Sequence, residues 1–131
     1  MMTSPSEGEV YTLTVNYLPP GPNRMNGAKW QVIQNESRKA ARAVFLAWQN
    51  SNKPKAEGRK AYVDITIFCR GRGDDVDNRF ARLKRVIDAL VRLDVLVDDN
   101  EQWLELSIPK HEPYSGKGYV EIAIHYGETT N

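Results

Sequence analysis

Between residues 62 and 93 the hydrophobic period of the chain changes from two to about 3.6, and carboxylates crowd both edges of the change. Tyr62 to Cys69 alternates, with Val63, Ile65, Ile67 and Cys69 facing one way, as in a strand. Tyr62 and Phe68 on the opposite face imply that both sides are partly covered. Gly71-Arg72-Gly73 ends the run. Phe80, Leu83, Ile87, Leu90 and Val91 then recur at helical spacing and predict a helix from about Asp77 to Leu93. Asp74-Asp75-Val76-Asp77-Asn78 precedes that helix and Asp98-Asp99 follows it. Carboxylates gathered in this way repel one another unless a divalent cation neutralises them or water solvates them fully.

The rest of the chain supplies elements of ordinary type. Val10 to Tyr17 alternates, with Tyr11, Leu13, Val15 and Tyr17 on one face, and predicts a half-buried strand. Pro19-Pro20-Gly21-Pro22-Asn23 cannot continue it and forms a stiff loop. Asn35 is a candidate N-cap for a helix reaching Gln49, with Ala41, Val44, Phe45 and Trp48 as its buried stripe and Arg38, Lys39 and Arg42 off it. Two further strands are expected at Trp103 to Ile108 and Tyr119 to Tyr126. Their short link, Pro113 to Gly118, implies an adjacent antiparallel pair. The order β-α-β-α-β-β predicts one α+β domain, with a mixed sheet and two helices, over residues 9–131 behind a polar tail of residues 1–8.

Charge and cysteine content narrow the function classes. A net charge of +1 gives no overall basic bias, yet between Arg70 and Arg92 seven basic residues face four acidic ones. The single cysteine, Cys69, excludes an intramolecular disulfide, and with only His111 and His125 it cannot build a structural zinc site. No apolar run approaches membrane-spanning length, and residues 1–9 lack the apolar core of a signal peptide, so a cytoplasmic protein is expected.

On a wheel of 100° per residue, Asp77, Lys84 and Asp88 fall within about 40° of one another beside the apolar stripe. Asp75 and Asp77 point the same way if extended backbone persists through them, and so suit one shared cation. Asp99 joins them if the chain returns beside the helix. Mg²⁺ takes a few carboxylates together with waters and phosphate oxygens, which points to chemistry on a phosphate ester. A lysine at the rim would stabilise charge on the transferring phosphorus or the leaving oxygen. The plainer alternative is an N-cap and a favourable helix-dipole charge. The calcium-loop look of Asp75 to Arg79 fails, because Arg79 occupies a ligand position and the central glycine is missing.

These residues resemble a known family. Asp75-Val76-Asp77-Asn78, Lys84, Asp88-Ala89-Leu90 and Asp98-Asp99-Asn100-Glu101-Gln102 resemble the RusA family of Holliday junction resolvases, as does Leu18-Pro19-Pro20-Gly21-Pro22-Asn23-Arg24 near the N-terminus. The resemblance runs from about residue 10 to 126. It implies a RusA-like fold and a homodimeric endonuclease that nicks two strands of four-way junction DNA symmetrically, in recombination and repair, using Mg²⁺ or Mn²⁺. It further implies Asp75, Asp77 and Asp99 as catalytic metal ligands and Lys84 as the catalytic lysine. In the family that lysine stands four residues after the second Asp, where this chain has Ala81. Lys84 matches only when counted back from Asp88, which leaves Arg79 and Arg82 as alternative bases. Asp74 and Asp98 are the register rivals of Asp75 and Asp99.

Grip on DNA must come from lysine and arginine. The expected contacts are Arg70, Arg72, Arg79, Arg82, Arg85 and Lys110, with Arg24, Lys29 and Lys117 in loops. Trp30 and Trp103 are candidates for stacking on exposed bases. A two-fold junction calls for an isologous dimer with paired sites. The competing expectation is a branched-DNA-binding protein without catalysis.

Overall fold

The computed structural model describes residues 10–21, 25, 27–71 and 75–127. Arg72, Asp74 and Arg24 lie outside them. The described chain forms one small α+β domain: a mixed five-stranded sheet with its helices on one face. In chain order the elements are β1 (Tyr11–Val15), α1 (Trp30–Gln49), β2 (Ala61–Cys69), α2 (Val76–Arg82), α3 (Lys84–Arg92), β3 (Leu104–Leu106), β4 (Lys110–Pro113) and β5 (Tyr119–Tyr126). Among the described residues no helix is long and apolar enough to cross a membrane.

β2 is the organising strand. It pairs antiparallel with β5 along one edge and parallel with both β3 and β4 along the other. β5 continues outward to β1, again antiparallel. Leu13, Val15, Val63, Ile65, Ile67, Val120, Ile122 and Ile124 all point to the helical face, at most 2% exposed, where Val44, Leu83, Val86 and Leu90 meet them. Alternation throws Thr12, Thr14, Thr66, Phe68, Tyr119 and Glu121 onto the other face, which no helix covers among the described residues.

The strand at Trp103 to Ile108 is not the antiparallel neighbour of the last strand, as its short link suggested. It is a parallel partner of β2, broken into β3 and β4 at Ser107 to Pro109, and β2 lies between it and β5. The link crosses over the C-terminal end of β2 instead of turning back beside its own strand. Tyr114 N–H donates to Cys69 O (3.0 Å), and the Arg70 guanidinium donates to Ser115 O (3.0 and 3.2 Å). Pro109 and Pro113 disguised β4 in the sequence, but both sit on a sheet edge, where a missing N–H is tolerated.

Both helices also differ from expectation. α1 begins at Trp30, not Asn35, and its N-cap position, Lys29, makes no side-chain cap. It buries Glu36, Ala40, Val44 and Ala47, while Phe45 is 40% exposed. Small side chains let the helix lie close against β1 and α3, so the bulky residues are left at the rim. The second helix is broken at Leu83, whose N–H bonds the carbonyl of Phe80 in a tightened turn. The break shifts the helical phase: Val86 becomes fully buried and Phe80 stays 38% exposed.

Candidate functional site

At the C-terminal end of β2 three guanidiniums bind three different loops. Arg70 holds Ser115 O, Arg79 donates through Nη1 to Pro109 O, and Arg82 donates through Nη1 to Pro19 O. The last contact runs close to Gly21: a Cβ there would stand 3.1 Å from Nη2 of Arg82, so the guanidinium would shift by a few tenths of an ångström. Arginine suits this work, since its planar fork keeps a fixed direction and its charge strengthens each hydrogen bond. These three expected DNA contacts are therefore also structural tethers. Lys84, Lys110 and Arg85 differ: the first two are exposed and the third is half-buried, with Lys110 beside Thr66 on the open sheet face.

Asp75 and Asp77 open α2. Asp75 is its N-cap, and Oδ1 accepts the Asn78 N–H at 3.0 Å. Asp77 lies in the first turn and is exposed. The plain capping role is thus real for Asp75, and it engages one of two carboxylate oxygens. Lys84 begins α3, beyond the break.

Asp99 lies elsewhere in the fold. α3 carries the chain back along the sheet for roughly 13 Å, at 1.5 Å per residue over its nine residues. It ends where Ala56 N–H bonds Asp94 O and Tyr126 Oη donates to Val95 O (2.8 Å), beside Ala61 at the start of β2. Asp98 and Asp99 follow in an exposed turn that leads into β3. Both Asp98 oxygens are taken locally, by Asp99 N–H (2.7 Å) and Asn100 Nδ2 (3.3 Å). Among the described residues no group of three or more Asp, Glu, His or Cys side chains is arranged to hold a metal. Asp75, Asp77 and Asp99 do not meet within the chain.

The donor chemistry still suits Mg²⁺ in a reduced form. Asp75 and Asp77 supply hard oxygen donors only, and Mg²⁺ is commonly held by one or two carboxylates with waters and substrate phosphate completing its shell. Asp75 and Asp77 bring such donors to the start of α2, but the extended backbone on which their sharing of one cation rested ends at Asp75, since Val76 is already helical. The expected three carboxylates do not assemble among the described residues.

A second feature was not anticipated. A cleft of about 960 Å³ runs along the outer edge of β1, between that strand, α1 and the Arg82 side chain. Four cations line it: Lys39 and Arg42 from α1, Arg82 from α2, and Lys117 from the loop before β5. The lining acid, Glu36, is 6% exposed; it accepts from Tyr17 Oη and pairs with Lys39 at 3.4 Å. The signal was present in the sequence. Lys39 and Arg42, three apart and off the apolar stripe, share a helix face. Of the two tryptophans considered for stacking, Trp30 is 68% exposed and Trp103 is half-buried. The aromatic cluster on the open sheet face is instead Phe68, Tyr114 and Tyr119, of which Tyr114 is exposed and the other two half-buried, with Phe68 and Tyr119 stacked at 4.6 Å.

Compared with known families and curated proteins, the chain matches no family model and no curated protein.

Proposed function

We propose that this chain is a Mg²⁺-dependent endonuclease acting on branched DNA, four-way junctions above all, as a homodimer. One observation carries the reading. α2 bears two exposed carboxylates at its start and two guanidiniums, Arg79 and Arg82, that hold neighbouring loops around the same end of the sheet. The resemblance of the Asp75 to Asp99 pattern to RusA resolvases supports the choice of substrate. Cations tied to rigid loops suit a phosphodiester backbone, because their positions are set before the DNA arrives.

In this reading Asp75 and Asp77 hold the cation, and Mn²⁺ substitutes for it. When bound, the metal activates a water and offsets charge on the phosphorus. The exposed Lys84 ammonium stabilises the leaving oxygen. Arg70, Arg72, Arg79, Arg82, Arg85 and Lys110 steady the flanking phosphates. Two-fold symmetry of the junction requires a second copy for the paired nick.

One specific observation favours a second reading, junction binding without cleavage: Asp99 lies at the other end of β2 from Asp75. A labelled four-way junction, incubated with and without Mg²⁺ and mapped for nicks, decides between them. Paired nicks in strands of like polarity that depend on the metal support the nuclease; tight binding with no nick at any Mg²⁺ or Mn²⁺ concentration removes it.

A further inference from the structure

The cleft beside β1 continues into a second hollow of about 480 Å³, and the two share Thr14, Asn16, Lys117 and Gly118. The second hollow is walled by Tyr114, Tyr119 and one acid, Glu121, on the open sheet face. A single path thus leads from Lys39, Arg42 and Arg82 on the helical side, past Lys117 and across the edge strand, to an aromatic platform on the other side. Its middle is lined by Thr14 and Asn16, whose hydroxyl and amide groups are donors of the kind that phosphate or sugar oxygens accept.

We propose that this path binds one unpaired DNA strand, with its phosphates among Lys39, Arg42, Arg82 and Lys117 and a base stacked on Tyr114. Three observations together point to a single strand. Cations spread along a groove match a charged polymer better than one small anion. The Phe68–Tyr119 stack, with Tyr114 set edge-on to both rings (interplanar angles 82° and 90°), presents aromatic surface to a base. Bases within a duplex have no free π-face to offer it. Tyr114 is 41% exposed and its ring lies over Gly116, where a Cβ would come within 2.8 Å of it. The glycine therefore sets how the ring is presented. The inference rests on the branched-DNA reading for the choice of DNA: a branch point is where a strand leaves its duplex. It assigns that strand to residues other than the acidic pair.

The test is a salt titration of fluorescent oligothymidylate binding by anisotropy, in EDTA so that no nicking intervenes. Polyphosphate serves as a base-free polyanion. The wild type is expected to bind oligothymidylate with a salt slope of about 0.7 per phosphate neutralised. Lys39→Glu with Arg42→Glu, both on the exposed face of α1, is expected to lower that slope by about 1.4 and the affinity by roughly tenfold or more. Tyr114→Ala is expected to weaken oligothymidylate roughly fivefold or more and to leave polyphosphate unchanged, whereas Tyr114→Phe keeps the affinity. Gly116→Ala, which displaces the ring without deleting it, falls between them.

Wild-type protein that does not bind oligothymidylate overturns the proposal. So does a charge-reversed variant with an unchanged slope, or a Tyr114→Ala variant that loses polyphosphate equally. The two readings fail separately. Single-strand binding without nicking of junctions removes the nuclease alone, and metal-dependent nicking with no single-strand affinity removes this path alone.

Discussion

Beyond the C-terminal end of β2, Asp75 and Asp77 stand on the first turn of α2 among arginines that reach three separate loops; before its N-terminal end, Asp98 and Asp99 sit in a turn that satisfies itself. The residue type is the same, but the spacing and the surroundings differ. At the first end the helix N-terminus favours negative charge and one oxygen of Asp75 is engaged by it. At the second, Asp98 shapes a tight turn that leads the chain from α3 into β3, parallel to β2. Two aspartates close in sequence carry functional meaning only through what the fold sets around them.

The largest effect expected tests that difference directly. Asp77→Asn should lower Mg²⁺-dependent nicking of a four-way junction by about a hundredfold or more, since the metal supplies several kcal/mol of charge stabilisation. Binding in EDTA should persist. Asp99→Asn should leave nicking within about threefold of wild type, because in one protomer Asp99 does not join the pair. An equal loss at Asp99 would break the comparison and would mean that the partner copy supplies it to the site.

Next in size is the tether at the C-terminal end of β2. Arg79→Ala removes the charged donor to Pro109 O, beside the break between β3 and β4. A hydrogen bond to a charged group contributes about 2 kcal/mol, so urea unfolding should show a loss of that order. Arg92→Ala, in the exposed last turn of α3, should stay within about 0.5 kcal/mol of wild type. Equal stabilities would reduce Arg79 to a surface charge.

How much of this was legible in the sequence depends on the range of the interaction involved. β2 and β5 were readable almost to the residue, because alternation records a buried face locally. The pairing of β5 was not. It depends on where the 114–118 link passes, and that is decided by Arg70 and by Cys69 O, both distant in sequence. The buried face of α1 was misread for a related reason: hydrophobic size favoured Phe45, whereas close packing selected Ala40 and Ala47. At the candidate site, the capping role of Asp75 was visible as a local pattern. The separation of Asp99 was not, since it follows from the direction in which α3 returns along the sheet.

The quiet end of β2 has its own anchor. Tyr126, 4% exposed, donates to Val95 O and holds the end of α3 against the sheet. Tyr126→Phe leaves that carbonyl without its donor and should cost about 1 kcal/mol at neutral pH. Burial pushes the phenol well above its ordinary value of 10.0, although the nearby Arg59 opposes the shift. Above pH 10 the unfolded phenol ionises while the folded one does not, so unfolding releases a proton. The stabilisation is therefore complete below pH 10 and is lost as pH rises from there towards the folded value. Urea melts at rising alkaline pH should show the gap between wild type and Tyr126→Phe narrowing. A constant gap would remove the linkage.

The smallest effect separates two jobs at Asp75. Asparagine caps a helix about as well as aspartate, because its side-chain oxygen accepts the same N–H, whereas alanine offers no acceptor. Asp75→Asn should therefore keep the bond from Asn78 N–H and change stability by a few tenths of a kcal/mol, while Asp75→Ala should cost about 1 kcal/mol. Nicking should fall in both, since neither side chain carries the charge a cation needs. Asp99→Ala should do neither, as its side chain makes no hydrogen bond among the described residues. If Asp75→Asn nicked as fast as wild type, capping alone would explain the residue, and the acidic end of β2 would be as structural as the other.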